Sequence, residues 1–154
     1  MMIEGVKAIP LTKHVDERGY VMEILRSDDP HFIRFGQVYV TTCEPQPSGP
    51  VVKAWHKHEK QSDSFCVIKG KVKVGLYDDR DGSPTRGQAA TFVLGEEPGL
   101  LLQIPPGVWH GQMALGFETS YLLNIPTETY NRDDPDEQRA PWDAFPYQWE
   151  VESR

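Results

Sequence analysis

The sequence predicts an all-β fold, a small barrel or jelly roll, and three observations carry that expectation. Its apolar residues fall in many runs only about four to eight residues long, bounded by turn residues. Glycine and proline are frequent, at 13 each, which suits short strands joined by tight turns better than a helical bundle. In one run, Val72, Val74 and Leu76 alternate with Lys71, Lys73 and Gly75, the period of a half-buried strand.

Taken in order, Met2 to Pro10 forms a short first strand. Asp16-Glu17-Arg18-Gly19 is turn chemistry, and Tyr20 to Leu25 runs on as a strand. Ser27 to His31 is a polar turn containing Pro30, and Gly36 to Thr42 is a strong β segment. A proline-rich loop, Cys43 to Pro50, leads into a strand starting at Val51. Ser64 to Ile68 is a second short strand, and Lys71 to Leu76 a third, with a turn at Asp79 to Gly82 that continues through Ser83-Pro84-Thr85. Gln88 to Leu94 and Leu100 to Ile104 are strands separated by the turn Gly95 to Gly99, and Phe117 to Ile125 is another. Beyond Pro126 the chain turns polar; a short helical turn is expected around Asp134 to Arg139, and Tyr147, Trp149 and Val151 return the tail to the sheet.

At 154 residues the chain is read as one domain, 1–154, able to bury a sizeable core. Its net charge of -7 argues against nucleic-acid and membrane-surface partners. A small anionic ligand needs only a few local cations and stays open. Cys43 and Cys66 lie in strand-like segments, which suits a reduced, cytoplasmic protein with buried thiols. There is no apolar run of membrane-spanning length, no signal-peptide pattern and no internal repeat.

The chemistry concentrates in two stretches, Lys53 to Gly70 and Gly99 to Gly111. His56 and His58 are two apart and so share one side of a strand. If the second stretch is a neighbouring strand, His110 joins them, and three imidazoles converge with the carboxylate of Asp63. Such a set suits Fe(II), Mn(II), Ni(II) or Zn(II), with positions open to water or substrate. The plainer alternative is hydrogen-bonded core histidines. Lys57, Glu59 and Lys60 read as solvated charges, Trp55 and Trp109 as core or rim, and Arg80 as a structural ion-pair partner.

The HxH spacing, the carboxylate and Gly70 resemble the first motif of the cupin superfamily, with Asp63 where glutamate is usual. Gly99, Pro105, Gly107 and His110 resemble the second, which departs at Ala114, usually asparagine. The resemblance implies a cupin-type double-stranded β-helix with short helical turns. A closer resemblance spans nearly the whole chain. DERGYVMEI, Gln37 in a strand, KAWH, IKGKVKVGLYDDR with the SPT after it, IPPGVWHG and Tyr121 in YLLNIP are similar, in order and spacing, to the dTDP-4-dehydrorhamnose 3,5-epimerase family.

That resemblance implies an epimerase or isomerase of a nucleotide-linked 4-keto-6-deoxy sugar, working by acid–base proton transfer without a cofactor. By position His56 is the base, Tyr121 the proton donor on the opposite face of the sugar, and His110 a substrate contact. Arg18 and Glu23 match nucleotide contacts that an exchanged N-terminal strand supplies across a homodimer interface built from residues 1–45. Gln37 matches a substrate-side residue, Glu137 a glutamate beyond the strand of Tyr121, and Tyr130 an aromatic near the nucleobase or sugar. The chain departs from the family in three places. Lys53 stands for an arginine, keeping the charge without the planar fork. Asp63 stands for the lysine near the ketone, and the sequence reaches Arg154 before the late aspartate that orients the catalytic histidine. Asp63 is then free to orient His56 or His58, or a charged His58 to serve the oxyanion, with Lys53 beside them. Two alternatives stand: a metal-dependent cupin enzyme using His56, His58, Asp63 and His110 on a divalent transition ion, and a non-catalytic sugar-nucleotide binder.

Overall fold

The computed structural model describes residues 2–46 and 49–151. Its strands are β1 (Lys7–Pro10), β2 (Lys13–Asp16), β3 (Gly19–Met22), β4 (Tyr39–Cys43), β5 (Pro45–Gln46), β6 (Gly49–Pro50) and β7 (Val52–Lys57). There follow β8 (Asp63–Lys69), β9 (Lys71–Asp78), β10 (Ala89–Gly95), β11 (Leu100–Ile104), β12 (Val108–Leu115), β13 (Ser120–Asn124) and β14 (Gln138–Arg139). One five-stranded antiparallel sheet runs β1-β11-β8-β13-β4 and a second runs β10-β9-β12-β7-β14, while β2-β3 and β5-β6 pair as separate ribbons.

The all-β expectation holds, and two parts of it are corrected. Neither sheet closes on itself: β1 and β4 edge the first, β10 and β14 the second. The fold is therefore two open sheets face to face, not a closed jelly-roll barrel. The expected short helical turns are absent among the described residues. At Asp134 to Arg139, Gln138 and Arg139 instead pair with Lys57 and His56, and Ala140 and Trp55 exchange backbone hydrogen bonds of 3.1 and 2.9 Å. The exposed edge of β7 satisfies this backbone better than an isolated helical turn, which is costly to nucleate.

The inner faces bury Phe65, Val67, Leu102, Ile104 and Leu122 from the first sheet against Val72, Val74, Leu76 and Leu94 from the second. The alternation in β9 thus selects its core side as read. A second apolar layer covers the outer face of the second sheet, where Trp55, Trp109, Met113 and Trp149 pack with Phe145 and Tyr147. The tail returns to the sheet through these rings, though not as a strand. The Trp55 and Trp149 indole N–H groups both donate to the Trp142 carbonyl, at 3.0 and 3.2 Å. Lys73 Nζ donates to the carbonyls of Gln148, Trp149 and Glu150 at 2.6, 3.0 and 3.3 Å.

The pairing of β12 with β7 is irregular in a way that matters for the site. His110 faces His56, yet Gln112, two residues on, faces Lys53, three residues back. One extra residue on β7 makes a bulge, which reverses side-chain parity along the strand. It also lets Lys53 and His56 look into the same cavity. Gly111 lies within this irregular stretch, and a Cβ there would stand 2.3 Å from that of Ala54.

Away from the site, Arg80 is the structural partner expected. Its Nε and Nη2 donate to the two carboxylate oxygens of fully buried Asp78, each at 2.9 Å, and Ser83 and Thr85 hydroxyls add bonds of 2.6 Å. Burial pulls the Asp78 carboxyl up, but these donors outweigh it and hold it well below the usual carboxylate range. A depressed folded-state value means that the stability Asp78 supplies is complete above pH ~4 and is lost as pH falls below that. Asp78→Ala, by leaving the Arg80 charge without its partner, costs on the order of 3 kcal/mol at neutral pH. Urea unfolding at pH 7 checks this, and a loss under ~1 kcal/mol would remove Asp78 as a fastening point. Cys43 and Cys66 are free and buried; burial pushes the Cys66 thiol up to about 11. No helix among the described residues is long and apolar enough to cross a membrane.

Candidate active site

A cavity of about 590 Å³ opens between the sheets. The first sheet lines it with Tyr39, Thr41, Phe65, Leu122 and Asn124, and the second with Lys53, His56, His110, Gln112 and Arg139. His58 lies just past the end of β7, and the segment after β13 adds Tyr130, Asp136 and Glu137. The convergence read from the two histidine stretches is therefore present, since β7 and β12 are neighbours and His56 is paired directly with His110. Their ring centroids are 6.2 Å apart, and those of His58 and His110 5.5 Å.

His56 is held by the carboxylate of Glu137, on the segment beyond the strand of Tyr121. Its Nδ1 lies 2.8 Å from Glu137 Oε1, while Arg139 Nε and Nη2 donate to Glu137 Oε2 at 2.9 and 2.7 Å. Burial would raise the Glu137 carboxyl, but the bonds from Arg139 and His56 bring it below its ordinary value. An ionised Glu137 accepts the Nδ1 proton and leaves Nε2 with its lone pair, the form a general base needs. Glu137 is thus the carboxylate on His56, while Asp63, of the two histidines it was free to orient, lies beside His58.

Asp63 is buried and serves the other two histidines. Its Oδ1 accepts from Gln61 Nε2 at 2.8 Å and from Asn124 Nδ2 at 2.7 Å. Its Oδ2 lies 3.5 Å from His58 Nε2 and 3.4 Å from His110 Nε2. On the far side of each ring, His58 Nδ1 donates to the Asp136 carbonyl and His110 Nδ1 to the Val108 carbonyl, the latter at 3.2 Å. Burial drives the His110 imidazole down to about 4 against the opposing pull of Asp63, so it is neutral at neutral pH. One ligand atom each from His58, Asp63 and His110 can be chosen such that all three lie within 4.8 Å of one another. This donor set, two imidazole nitrogens and a carboxylate oxygen, fits a divalent transition ion. His56, the fourth position of the expected metal set, is not part of that group.

Several expected site residues fall where the sequence placed them, and others do not. Gln37, Lys53 and Tyr130 line the cavity; Lys53 Nζ donates to the Thr42 carbonyl, and Tyr130 N–H to Gln37 Oε1 at 3.2 Å. Tyr121 does not line it. Leu122 and Asn124 do, paired with Thr41 and Tyr39, while Tyr121 pairs with Thr42 on the opposite face, with Lys69 Nζ 5.9 Å from its ring centroid. The period-two alternation that serves His56 excludes Tyr121. Arg18 and Glu23 also lie outside the cavity: Arg18 pairs with Asp16 on the β2–β3 ribbon, and Glu23 with Arg26 at 2.9 Å.

Arg139, which holds Glu137, was not singled out from sequence, and neither were Tyr39, Asn124 and Asp136. Tyr39 bears a hydroxyl that accepts from Asn124 at 2.9 Å, and burial followed by the Asp63 charge raises its phenol. Asn124 bridges Tyr39 and Asp63. The Asp136 carboxylate accepts the backbone N–H groups of Glu59, Lys60 and Gln61 at 2.9, 2.9 and 3.0 Å, so it fixes the turn that carries His58. The polar run around Asp134 to Arg139 was a usable signal, since so many carboxylates between two strands need partners.

The chain is 43% identical over 143 residues to a probable low-salt glycan biosynthesis epimerase, Agl13, of Haloferax volcanii, covering 92% of this chain and 89% of that one. It is 40% identical over 155 residues to the spore coat polysaccharide biosynthesis protein SpsL of Bacillus subtilis, covering 99% and 100%. The crystal structure of a dTDP sugar isomerase from Desulfovibrio desulfuricans superposes with a TM-score of 0.87 at 35% identity, covering 96% of this chain and 92% of that one. The family model described as dTDP-4-dehydrorhamnose 3,5-epimerase matches residues 1–153, and the chain belongs to that family.

Proposed function

We propose that His56 is the base and Tyr130 the acid of a proton transfer beside a sugar ketone. The protein is an epimerase or isomerase acting on a nucleotide-linked 4-keto-6-deoxy sugar. A hydrogen on the carbon next to a ketone is acidic because the electron pair left behind delocalises onto oxygen. His56 Nε2 takes that proton, with Glu137 stabilising the imidazolium that forms. The observation that carries the reading is the His56–Glu137–Arg139 chain, which commits His56 to one tautomer beside a cavity large enough for a hexose.

Of the tyrosines facing the cavity, Tyr39 is the poorer donor, because burial and Asp63 hold its proton. Tyr130 is exposed, on the segment after β13. Lys53 supplies a positive charge to the same cavity, and Gln37 positions Tyr130 through its backbone N–H.

The same reading includes a homodimer in which Arg18 and Glu23 reach the neighbour's nucleotide. Exposed Val15, Tyr20 and Val21 on the β2–β3 ribbon and Val38 and Val40 near the edge strand β4 support it, since such apolar surface suits a partner. Incubation with a thymidine diphosphate-linked 4-keto-6-deoxyhexose in deuterated water tests the chemistry. Deuterium is expected at C3, C5 or both; binding without incorporation at either carbon overturns the reading.

A further inference from the structure

We propose that Tyr39 is a further catalytic residue, whose hydroxyl donates a hydrogen bond to the ketone oxygen of the sugar as that oxygen becomes an enolate. The proposal rests on the epimerase reading for the reaction, and on the Asn124 side chain for the direction of the bond. Asn124 Oδ1 accepts the backbone N–H of Ser64 at 3.1 Å. A backbone N–H only donates, so the amide cannot be turned over, and its NH2 group is fixed on the other side. There Nδ2 donates to Asp63 Oδ1 at 2.7 Å and to the Tyr39 hydroxyl at 2.9 Å. An amide nitrogen has no lone pair to offer, so the Tyr39 oxygen is the acceptor. Its own proton is left over, and no acceptor among the described residues takes it.

The position suits that proton to the substrate. Tyr39 lines the cavity from β4 in the first sheet, whereas His56 lines it from β7 in the second. A sugar between the sheets meets the base on one wall and the phenol on the other. Burial of the hydroxyl, then the charge of Asp63, with that of Glu137 behind it, raises the phenol. Glu137 is the carboxylate on His56, so Tyr39 lies within electrostatic reach of the base.

The chemistry needs such a donor. His56 takes the proton from carbon, the electron pair of that bond forms a C=C bond, and the carbonyl π pair moves onto oxygen. A donor must then face that oxygen. His58 and His110 give their Nδ1 protons to the Asp136 and Val108 carbonyls. Asp63, in place of the family's lysine, carries the wrong sign. Lys53, anchored at the Thr42 carbonyl, adds charge; Tyr39 adds a directed hydrogen. A phenol that holds its proton binds the enolate without neutralising it. When carbon is reprotonated, the pair returns to the carbonyl and Tyr39 is unchanged.

Tyr39→Phe keeps the ring and loses only the hydroxyl. Deuterium incorporation and inversion should fall together by about 10²- to 10³-fold, through kcat and with KM little changed. Both need the enolate, so their ratio is kept, whereas loss of the acid spares exchange. Inversion lost with exchange kept would make Tyr39 the acid, and a raised KM with kcat intact would make it a binding contact only. Either result, or wild-type rates, overturns the proposal. A spectroscopic readout separates catalysis from support of the fold. His56→Ala holds the keto sugar unreacted, and isotope-edited infrared reads the stretch of its bound carbonyl. That stretch should lie lower in His56→Ala than in the double variant with Tyr39→Phe. A fluorotyrosine at position 39, the same shape with a more acidic hydroxyl, should lower it further. Should Tyr39→Phe fail to fold, the fluorotyrosine comparison stands by itself, and a stretch unmoved by fluorination overturns the proposal. Absence of exchange in the wild type removes the epimerase reading, and the carbonyl stretch still decides the Tyr39 contact.

Discussion

His56→Ala is expected to lower deuterium incorporation into a keto-sugar nucleotide by about 10²- to 10⁴-fold, the range that positioned general bases supply. Affinity for the nucleotide sugar should remain largely intact, because the imidazole lies at the reacting end of the cavity and not on the β2–β3 ribbon. The size of the effect follows from how completely the ring is committed. Glu137 fixes its Nδ1, Arg139 fixes Glu137 through two bonds, and β14 pins that carboxylate segment to β7 itself. No other cavity imidazole can replace it, since His58 and His110 direct Nε2 toward Asp63. Exchange at the wild-type rate in His56→Ala would mean that the base is elsewhere.

The second large effect separates two tyrosines. Tyr130→Phe should lose inversion by about 10²-fold or more while exchange continues. With the acid gone, His56 still removes the proton and returns a deuteron to the same face, so label enters without a change of configuration. Tyr121→Phe should leave both rates near wild type, because that ring lies on the other side of β13. Inversion lost in Tyr121→Phe and kept in Tyr130→Phe would reverse the assignment. Product stereochemistry by proton NMR, measured beside label content, reads both quantities in one sample.

Much of this architecture was legible in the residue order, and the failures have physical causes. The strands at Leu100 to Ile104 and through Val72, Val74 and Leu76 were visible because alternation and short apolar runs are local signals. β12 was not singled out, since Pro105, Gly107 and Gly111 look like turn residues, although Gly111 sits inside the strand where Ala54 leaves no room for a side chain. The meeting of His56, His58 and His110 could be inferred from spacing plus one assumed pairing. The partner of His56 could not, because Glu137 is 81 positions away and reaches it only once β14 docks on β7. Tyr121 was matched by position in the chain alone; counting parity from Asn124 would have turned it outward. Closure into a barrel was expected from the many short strands and from the cupin resemblance, but closure depends on hydrogen bonds between edge strands, which neither composition nor motifs encode.

The irregular pairing of β7 with β12 also bears on how this protein tolerates change in chain length. Deleting one residue between Lys53 and His56 would permit an uninterrupted ladder, and its hydrogen bonding would look improved. Lys53 would then swing to the outside, among the tryptophans, and the pocket would surrender its amine. Here the number of peptide units decides which side chains reach the pocket, so a chain one residue shorter at this point would present a different set even if every named side chain survived.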